Sequence, residues 1–220
     1  MTAEHIYTYV NPTSDRDLEK TCAVLENGGI IAYPTDVNWA FGCDAANGKA
    51  IDRIRQLKPT HPKEQPFSLI CDSMSMASTV GNIEHTAFRV LRKAWPGPYT
   101  IILSRTRNLP RQIKDRRMVV GVRVPDSPLI LAIVKQFGRP LATTSVPMVS
   151  AFTQDESNPE LPRFGYQVQE VFGHALDLVL DLGDEVPALE TTIIDFSSGI
   201  PEIVREGAGD SSIFRALMTS

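Results

Sequence analysis

The chain is predicted to fold as a single α/β domain, a twisted mixed sheet flanked by helices, and three observations carry that prediction. Apolar runs of strand length alternate with stretches of helical periodicity from Asp15 onward. Several strand-like runs are joined by connections of hairpin type, which makes the sheet mixed rather than wholly parallel. No internal repeat or low-complexity linker divides the 220 residues, and a content of 42% hydrophobic and 22% charged residues is ordinary for one globular domain.

In chain order, Asp15 can cap a helix whose apolar positions Leu18, Cys22 and Leu25 recur at helical spacing, and Gly28-Gly29 ends it. Ile30 to Tyr33 reads as a buried strand. Ala50 to Lys58 is helical through Ile51, Ile54 and Leu57, and Pro59 stops it, leaving Lys58 at a helix end that points into a loop. Residues 59–66 hold too many prolines to be regular and lead into the strand Phe67 to Cys71. His85 to Ala94 reads as a helix closed by Trp95-Pro96-Gly97-Pro98, with the strand Tyr99 to Leu103 behind it. A strand over Val119 to Val124, a helix opened by Pro128 and ended by Gly138, and a short strand over Leu141 to Ser145 come next. Met148 to Pro162 is polar and proline-bounded and reads as a mobile loop beside the site. A helix over Gln167 to Phe172, a strand over Leu178 to Leu182, and sheet-end strands over Thr191 to Asp195 and Ile203 to Arg205 complete the pattern.

Several chemistries can be set aside. Cys22, Cys43 and Cys71 are odd in number and far apart, so reduced, buried thiols are expected rather than a disulfide frame or zinc ribbon. His5, His61, His85 and His174 are equally dispersed, and no protein-held metal is expected. G-x-x-x-x-G-K-[ST], G-x-G-x-x-G after a strand, and G-x-S-x-G are all missing, which removes P-loop enzymes, dehydrogenases and α/β-hydrolases. No stretch approaches the ~20 apolar residues that span a bilayer, and no basic segment with a long apolar run opens the chain; a cytoplasmic protein without membrane contact is expected.

The net charge of −4 gives no whole-chain argument for nucleic acid. Yet Arg105, Arg107, Arg111, Lys114, Arg116, Arg117 and Arg123 gather with only Asp115 opposing them, either as a solvated loop or as a patch for phosphates or RNA. The segment Pro34 to Asp44 places the hydroxyl of Thr35, the carboxylate of Asp36 and the amide of Asn38 at the end of a buried strand, where open α/β sheets collect ligands. Further cations and hydroxyls recur at strand and helix ends: Lys58, Thr100, Arg123, Thr143, Ser145, Thr192 and Arg205. Arg123 can clamp a carboxylate bidentately and Lys58 can act as a point charge on phosphate. From the residues alone, the arginines serve equally as structural ion pairs, the hydroxyls as turns or caps, and Lys58 as a helix C-terminal cation.

Four stretches then act together: Pro34 to Asp44, Trp95-Pro96-Gly97-Pro98-Tyr99-Thr100, Val119 to Pro125 with Leu141 to Ser145, and Thr191 to Asp195 with Val204-Arg205-Glu206-Gly207. Between about Asp15 and Gly209 they resemble, in order, the motifs of the YrdC-like family of threonylcarbamoyl-AMP synthases. The first motif keeps Thr35 and Gly42 of the family pattern Pro-Thr-Glu-Thr-x-Tyr-Gly-Leu-Gly, while Asp36, Trp39, Ala40 and Phe41 are substitutions.

The resemblance implies a twisted sheet with a concave basic site across residues 1–220. It implies that Thr35, Arg123, Thr143 and Thr192 hold L-threonine, and that Lys58, Ser145 and Arg205 hold ATP. The implied reaction joins L-threonine, bicarbonate and ATP into threonylcarbamoyl-AMP and pyrophosphate, with Mg2+ carried in on the nucleotide, in the service of tRNA threonylcarbamoyladenosine modification. The nucleophile there is the substrate's own carbamate, so the protein has to supply cations and oriented donors and no catalytic nucleophile.

Two departures mark the chain. The family's Lys-x-Arg is Lys58-Pro59-Thr60 here, and its Ser-x-Asn is Ser145-Val146-Pro147, losses of roughly 1.5 to 3 kcal/mol each for a charged and a polar contact. Both, with the Arg-Glu-Gly-x-Gly-Asp ending at Arg205 to Asp210, resemble the YciO-like branch. The alternative expectation is an RNA-binding module, for tRNA or double-stranded RNA, that uses the basic surface at Arg111, Lys114, Arg116 and Arg117 without synthesis.

Overall fold

Residues 2–8, 13–58, 67–113, 118–149 and 159–218 are described in the computed structural model. Over them run β1 (Glu4–Tyr7), α1 (Asp15–Glu26), β2 (Ile31–Pro34), β3 (Trp39–Asp44), α2 (Gly48–Leu57) and β4 (Ser68–Ile70). These are followed by α3 (Met74–Val80), α4 (His85–Ala94), β5 (Tyr99–Ser104), β6 (Val119–Arg123), α5 (Pro128–Phe137) and β7 (Leu141–Ser145). The chain finishes with α6 (Gly165–Phe172), β8 (Leu178–Asp181), β9 (Thr192–Asp195), β10 (Glu202–Arg205) and α7 (Ser212–Met218).

Local chemistry sets the helix ends. Ser14, not Asp15, caps α1, accepting the N–H of Asp17 at 3.1 Å, while Asp15 lies in the first turn where its charge meets the helix dipole. Asn47 caps α2 through the N–H of Ala50, at 3.1 Å. Pro128 opens α5, and Gly138 ends it at φ +75°, a backbone state that glycine adopts without penalty.

The strands form one mixed sheet in the order β1-β8-β2-β3-β7-β4-β6-β5-β9-β10. Parallel pairs (β1-β8, β2-β8, β4-β6, β5-β9) stand beside antiparallel ones in the same sheet, as the hairpin-like connections predict. One face buries a large cluster, including Trp39, Phe41, Leu69, Ile101 and Val122, against α2, α4, α6 and α7. The other buries Ile31, Tyr33, Ile70, Leu141, Leu178 and Leu180 against α1 and α5.

Four elements escape the sequence reading: β1, β3, α3 and α7. The chief correction is β3. Pro34 to Asp44 is not one strand-end segment but a turn at 35–38 followed by a six-residue strand, buried at every position and so lacking alternation. Most of the polar stretch Met148 to Pro162, read as a loop beside the site, lies outside the described residues.

Candidate functional site

The register Pro34↔Trp39 between β2 and β3 leaves 35–38 as a tight loop, and the Thr35 side chain holds it closed. Its hydroxyl donates to the Asn38 carbonyl at 2.7 Å and accepts from the N–H groups of Val37 (3.3 Å) and Asn38 (3.2 Å). Asn38 in turn donates its amide to the Leu189 carbonyl at 2.8 Å, and the Leu189 N–H donates to the Val37 carbonyl at 2.8 Å. The segment leading into β9 is thereby laced across the turn.

Arg123, the last residue of β6, is 6% exposed and reaches this turn. Its Nη2 donates to Thr35 Oγ1 at 3.3 Å and to the carboxylate of Asp36, whose other oxygen accepts from the Asp126 N–H at 3.2 Å. Four strand spacings separate β2 from β6, about 19 Å on a flat sheet, so this contact exists only because the sheet twists and curls. Burial lowers the Arg123 pKa from its usual value and Asp36 opposes that shift; the guanidinium stays charged. Its Nε is buried with no partner among the described residues.

Thr143 lies between, on β7. Its hydroxyl donates to the Phe41 carbonyl at 3.0 Å and receives the buried hydroxyl of Tyr33 at 2.7 Å. Burial drives the Tyr33 pKa far up, so that hydroxyl keeps its proton.

A second cluster forms at the ends of α2, β7 and β10. Lys58 Nζ donates to Ser145 Oγ at 3.2 Å, to the Ser145 carbonyl at 3.3 Å and to Thr144 Oγ1 at 3.5 Å, with no carboxylate in ion-pair range among the described residues. Burial lowers its pKa, Glu190 opposes that and Arg205 adds to it, which puts all three charges in one neighbourhood. Arg205 Nε and Nη2 donate to the Thr191 carbonyl at 3.1 and 2.9 Å. Its Nη2 also reaches Thr191 Oγ1 at 3.0 Å, and its Nη1 bonds Glu190 at 2.8 Å.

Strand register aligns the floor between the clusters. Gly42, Thr143, Ser68, Gly121 and Ile102 follow one another across five strands, with Arg123 two residues beyond Gly121 on the same face. A Cβ on Gly121 would come within 2.9 Å of Ser68 Oγ, so a side chain there would displace that hydroxyl. The polar part of this face is therefore a candidate hollow lined by hydroxyls, with Arg123 at one side and Lys58 and Arg205 at the rim.

Thr35, Arg123 and Thr143 are thus brought together, as are Lys58, Ser145 and Arg205. Thr192 is not with them: its hydroxyl donates to the Gly209 carbonyl at 2.7 Å and accepts from the N–H groups of Gly207 (2.9 Å) and Gly209 (3.0 Å). Its neighbour Thr191 faces the cluster instead, meeting Thr100 at 3.0 Å. Arg111 is exposed, while Lys114, Arg116 and Arg117 lie outside the described residues, as does Thr60. The buried Arg123 adds nothing to an exposed basic face. Sequence reasoning missed Tyr33, Ser68, Asp126, Glu190 and Thr191; an alternation count along β4 would have put Ser68 on the Thr143 face, but Glu190 carries no local signal.

A curled mixed sheet with hydroxyls and cations gathered on one face defines an α/β protein with a candidate ligand site. The profile of the Sua5, YciO and YrdC proteins, described as telomere recombination, matches residues 23–207, and the chain belongs to this family. YciO of Escherichia coli strain K12 is 32% identical over 212 residues, 94% of this chain and 98% of its own. Its crystal structure superposes with a TM-score of 0.83, covering 97% of this chain and 100% of that one. A threonylcarbamoyl-AMP synthase of Xanthomonas axonopodis pv. citri is 32% identical over 136 residues, 60% of this chain and 72% of its own. The Sua5 of P. abyssi complexed with L-threonine shares the fold at a TM-score of 0.82 and 21% identity, over 99% of this chain and 61% of that one.

Proposed function

We propose that the hollow binds a nucleotide at Lys58, Ser145 and Arg205 and L-threonine at Thr35, Arg123 and Thr143, with Thr192 holding the adjoining glycine loop, in a threonylcarbamoyl-AMP synthase type of reaction. The observation that carries this reading is the convergence of two clusters from remote strands, an arginine beside Thr35 and a lysine on Ser145, on the sheet face that also packs against α1 and α5. In that chemistry the threonine amine takes up bicarbonate as a carbamate with loss of water. A carbamate oxygen then attacks the α-phosphorus of ATP, and pyrophosphate leaves with the electrons of the broken P–O bond. Arg123 orients the threonine carboxylate through the edge of its guanidinium not used by Asp36, and Lys58 stabilises phosphate charge.

Asp36 and Glu190, the carboxylates at the hollow among the described residues, are each engaged by an arginine, so magnesium is assigned to the nucleotide's own phosphates. Pyrophosphate release that requires threonine and bicarbonate tests the reading, with the adenylate product identified by mass. The RNA reading draws on exposed Arg107 and Arg111. Under it, replacing Arg111, Lys114, Arg116 and Arg117 by neutral residues lowers RNA affinity and its salt slope while nucleotide binding survives.

A further inference from the structure

We propose that the hollow selects a nucleotide carrying a single phosphate, a free monophosphate or its acyl ester, over the triphosphate, an inference that rests on the nucleotide reading above. The charge inventory carries it. Three cations face the hollow among the described residues, and two of them are already paired: Arg123 with the half-buried Asp36, and Arg205 with Glu190.

Arg205 is also short of donors for a ligand. Nε, Nη1 and Nη2 all have protein acceptors, two of them the carbonyl and hydroxyl of Thr191. Its geometry makes it a brace between β10 and the strand entry at Thr191, and its charge arrives at the hollow paired with Glu190. Lys58 is different. Its ammonium is half-buried and held by three neutral oxygens, two from Ser145 and one from Thr144, so a partly desolvated positive charge stands there without a counter-ion among the described residues.

A desolvated ammonium of this kind gains most from one adjacent anion. A phosphate monoester brings roughly −1.5 to −2 charges at neutral pH, and Lys58 with the Ser145 hydroxyl and the dipoles of the neighbouring arginine pairs can meet that. A triphosphate adds two further phosphates, which would meet Glu190 and Asp36 with no unpaired cation beyond Lys58 among the described residues to receive them. The departure at Pro147 falls on the same rim, since it removes an amide beside Ser145. In the proposed reaction this places the preference at the adenylate end, where pyrophosphate has already left.

The test is calorimetric titration of the full chain with AMP, ADP and ATP in magnesium-free buffer, and with an acyl-sulfamoyl adenosine. AMP is expected to bind at least as tightly as ATP, and Lys58→Gln to weaken AMP by about ten- to a hundredfold. Glu190→Gln, checked for fold by circular dichroism, frees the Arg205 charge and is expected to shift the ATP-to-AMP affinity ratio toward ATP by about threefold or more. Whichever of AMP and the acyl sulfamate binds tighter identifies the single-phosphate ligand. ATP binding more than about tenfold tighter than AMP, or a ratio unmoved by Glu190→Gln, overturns the inference while the nucleotide reading stands. Failure of every nucleotide to bind overturns both.

Discussion

The covered and open parts of one sheet face are built from the same strands, and they differ in what each strand puts there. On β7 Leu141 is buried beneath α5, while Thr143 and Ser145, two and four residues on, carry hydroxyls into the hollow. On β4 Ile70 packs in the covered part and Ser68 in the open one. The covered part excludes water and holds the sheet; in the other, polar groups satisfy one another, and under the proposed function a ligand takes over some of those contacts. Stability and binding are thus separated by a few residues along single strands.

The largest effect is expected where the two parts meet. Removing the Asp36 carboxylate by Asp36→Ala strands the buried charge of Arg123, and denaturant unfolding should show a loss of about 3 to 5 kcal/mol. In the covered part, Leu141→Ala should cost about 2 to 5 kcal/mol, whereas Ser145→Ala in the open part should change stability by less than about 1 kcal/mol and weaken nucleotide binding instead. Equal destabilisation by both β7 variants would break the comparison.

Thr192→Val probes a hydroxyl turned away from the hollow. It removes the partner of two glycine N–H groups and one carbonyl, so a loss of about 1 to 3 kcal/mol with threonine affinity following stability is expected. A threonine affinity that collapses in a fully stable variant would return Thr192 to direct contact.

The smallest effect concerns Lys58. Its pKa in the folded chain lies below the unfolded value near 10.5, so the folded state disfavours the charged form, and that penalty is complete below the folded pKa. Between the two values the unfolded chain binds more protons and stability rises with pH. Lys58→Met should accordingly be more stable than wild type at pH 7, with the difference shrinking as pH approaches 10.5. A difference that does not change with pH would show that Lys58 is solvated.

Much of this was legible in the sequence, for identifiable reasons. α1, α2, α4 and α5 announce themselves through apolar spacing and through Gly28, Pro59, Trp95-Pro96 and Gly138 at their ends. The site residues Thr35, Lys58, Arg123, Thr143, Ser145 and Arg205 stood out because hydroxyls and cations follow apolar runs. β3 was missed because a strand buried on both faces has no period of two, and α3 because Met74–Val80 shows little periodicity. The state of the cations was not legible at all. Asp36 pairs with a residue 87 positions away and Glu190 with one 15 positions away, and both meetings depend on how far the sheet curls. The expectation of a basic hollow thus becomes, on the described residues, three cations of which two are paired.

The account rests on the open hollow being a working nucleotide and threonine site, and product formation measures that directly. Folded wild-type chain, supplied with ATP, magnesium, bicarbonate and L-threonine, is predicted to release pyrophosphate and form threonylcarbamoyl-AMP only when threonine is present, and Lys58→Gln is predicted to lose most of that activity. Absence of any threonine-dependent product from the folded wild type, or full activity in Lys58→Gln, would contradict it.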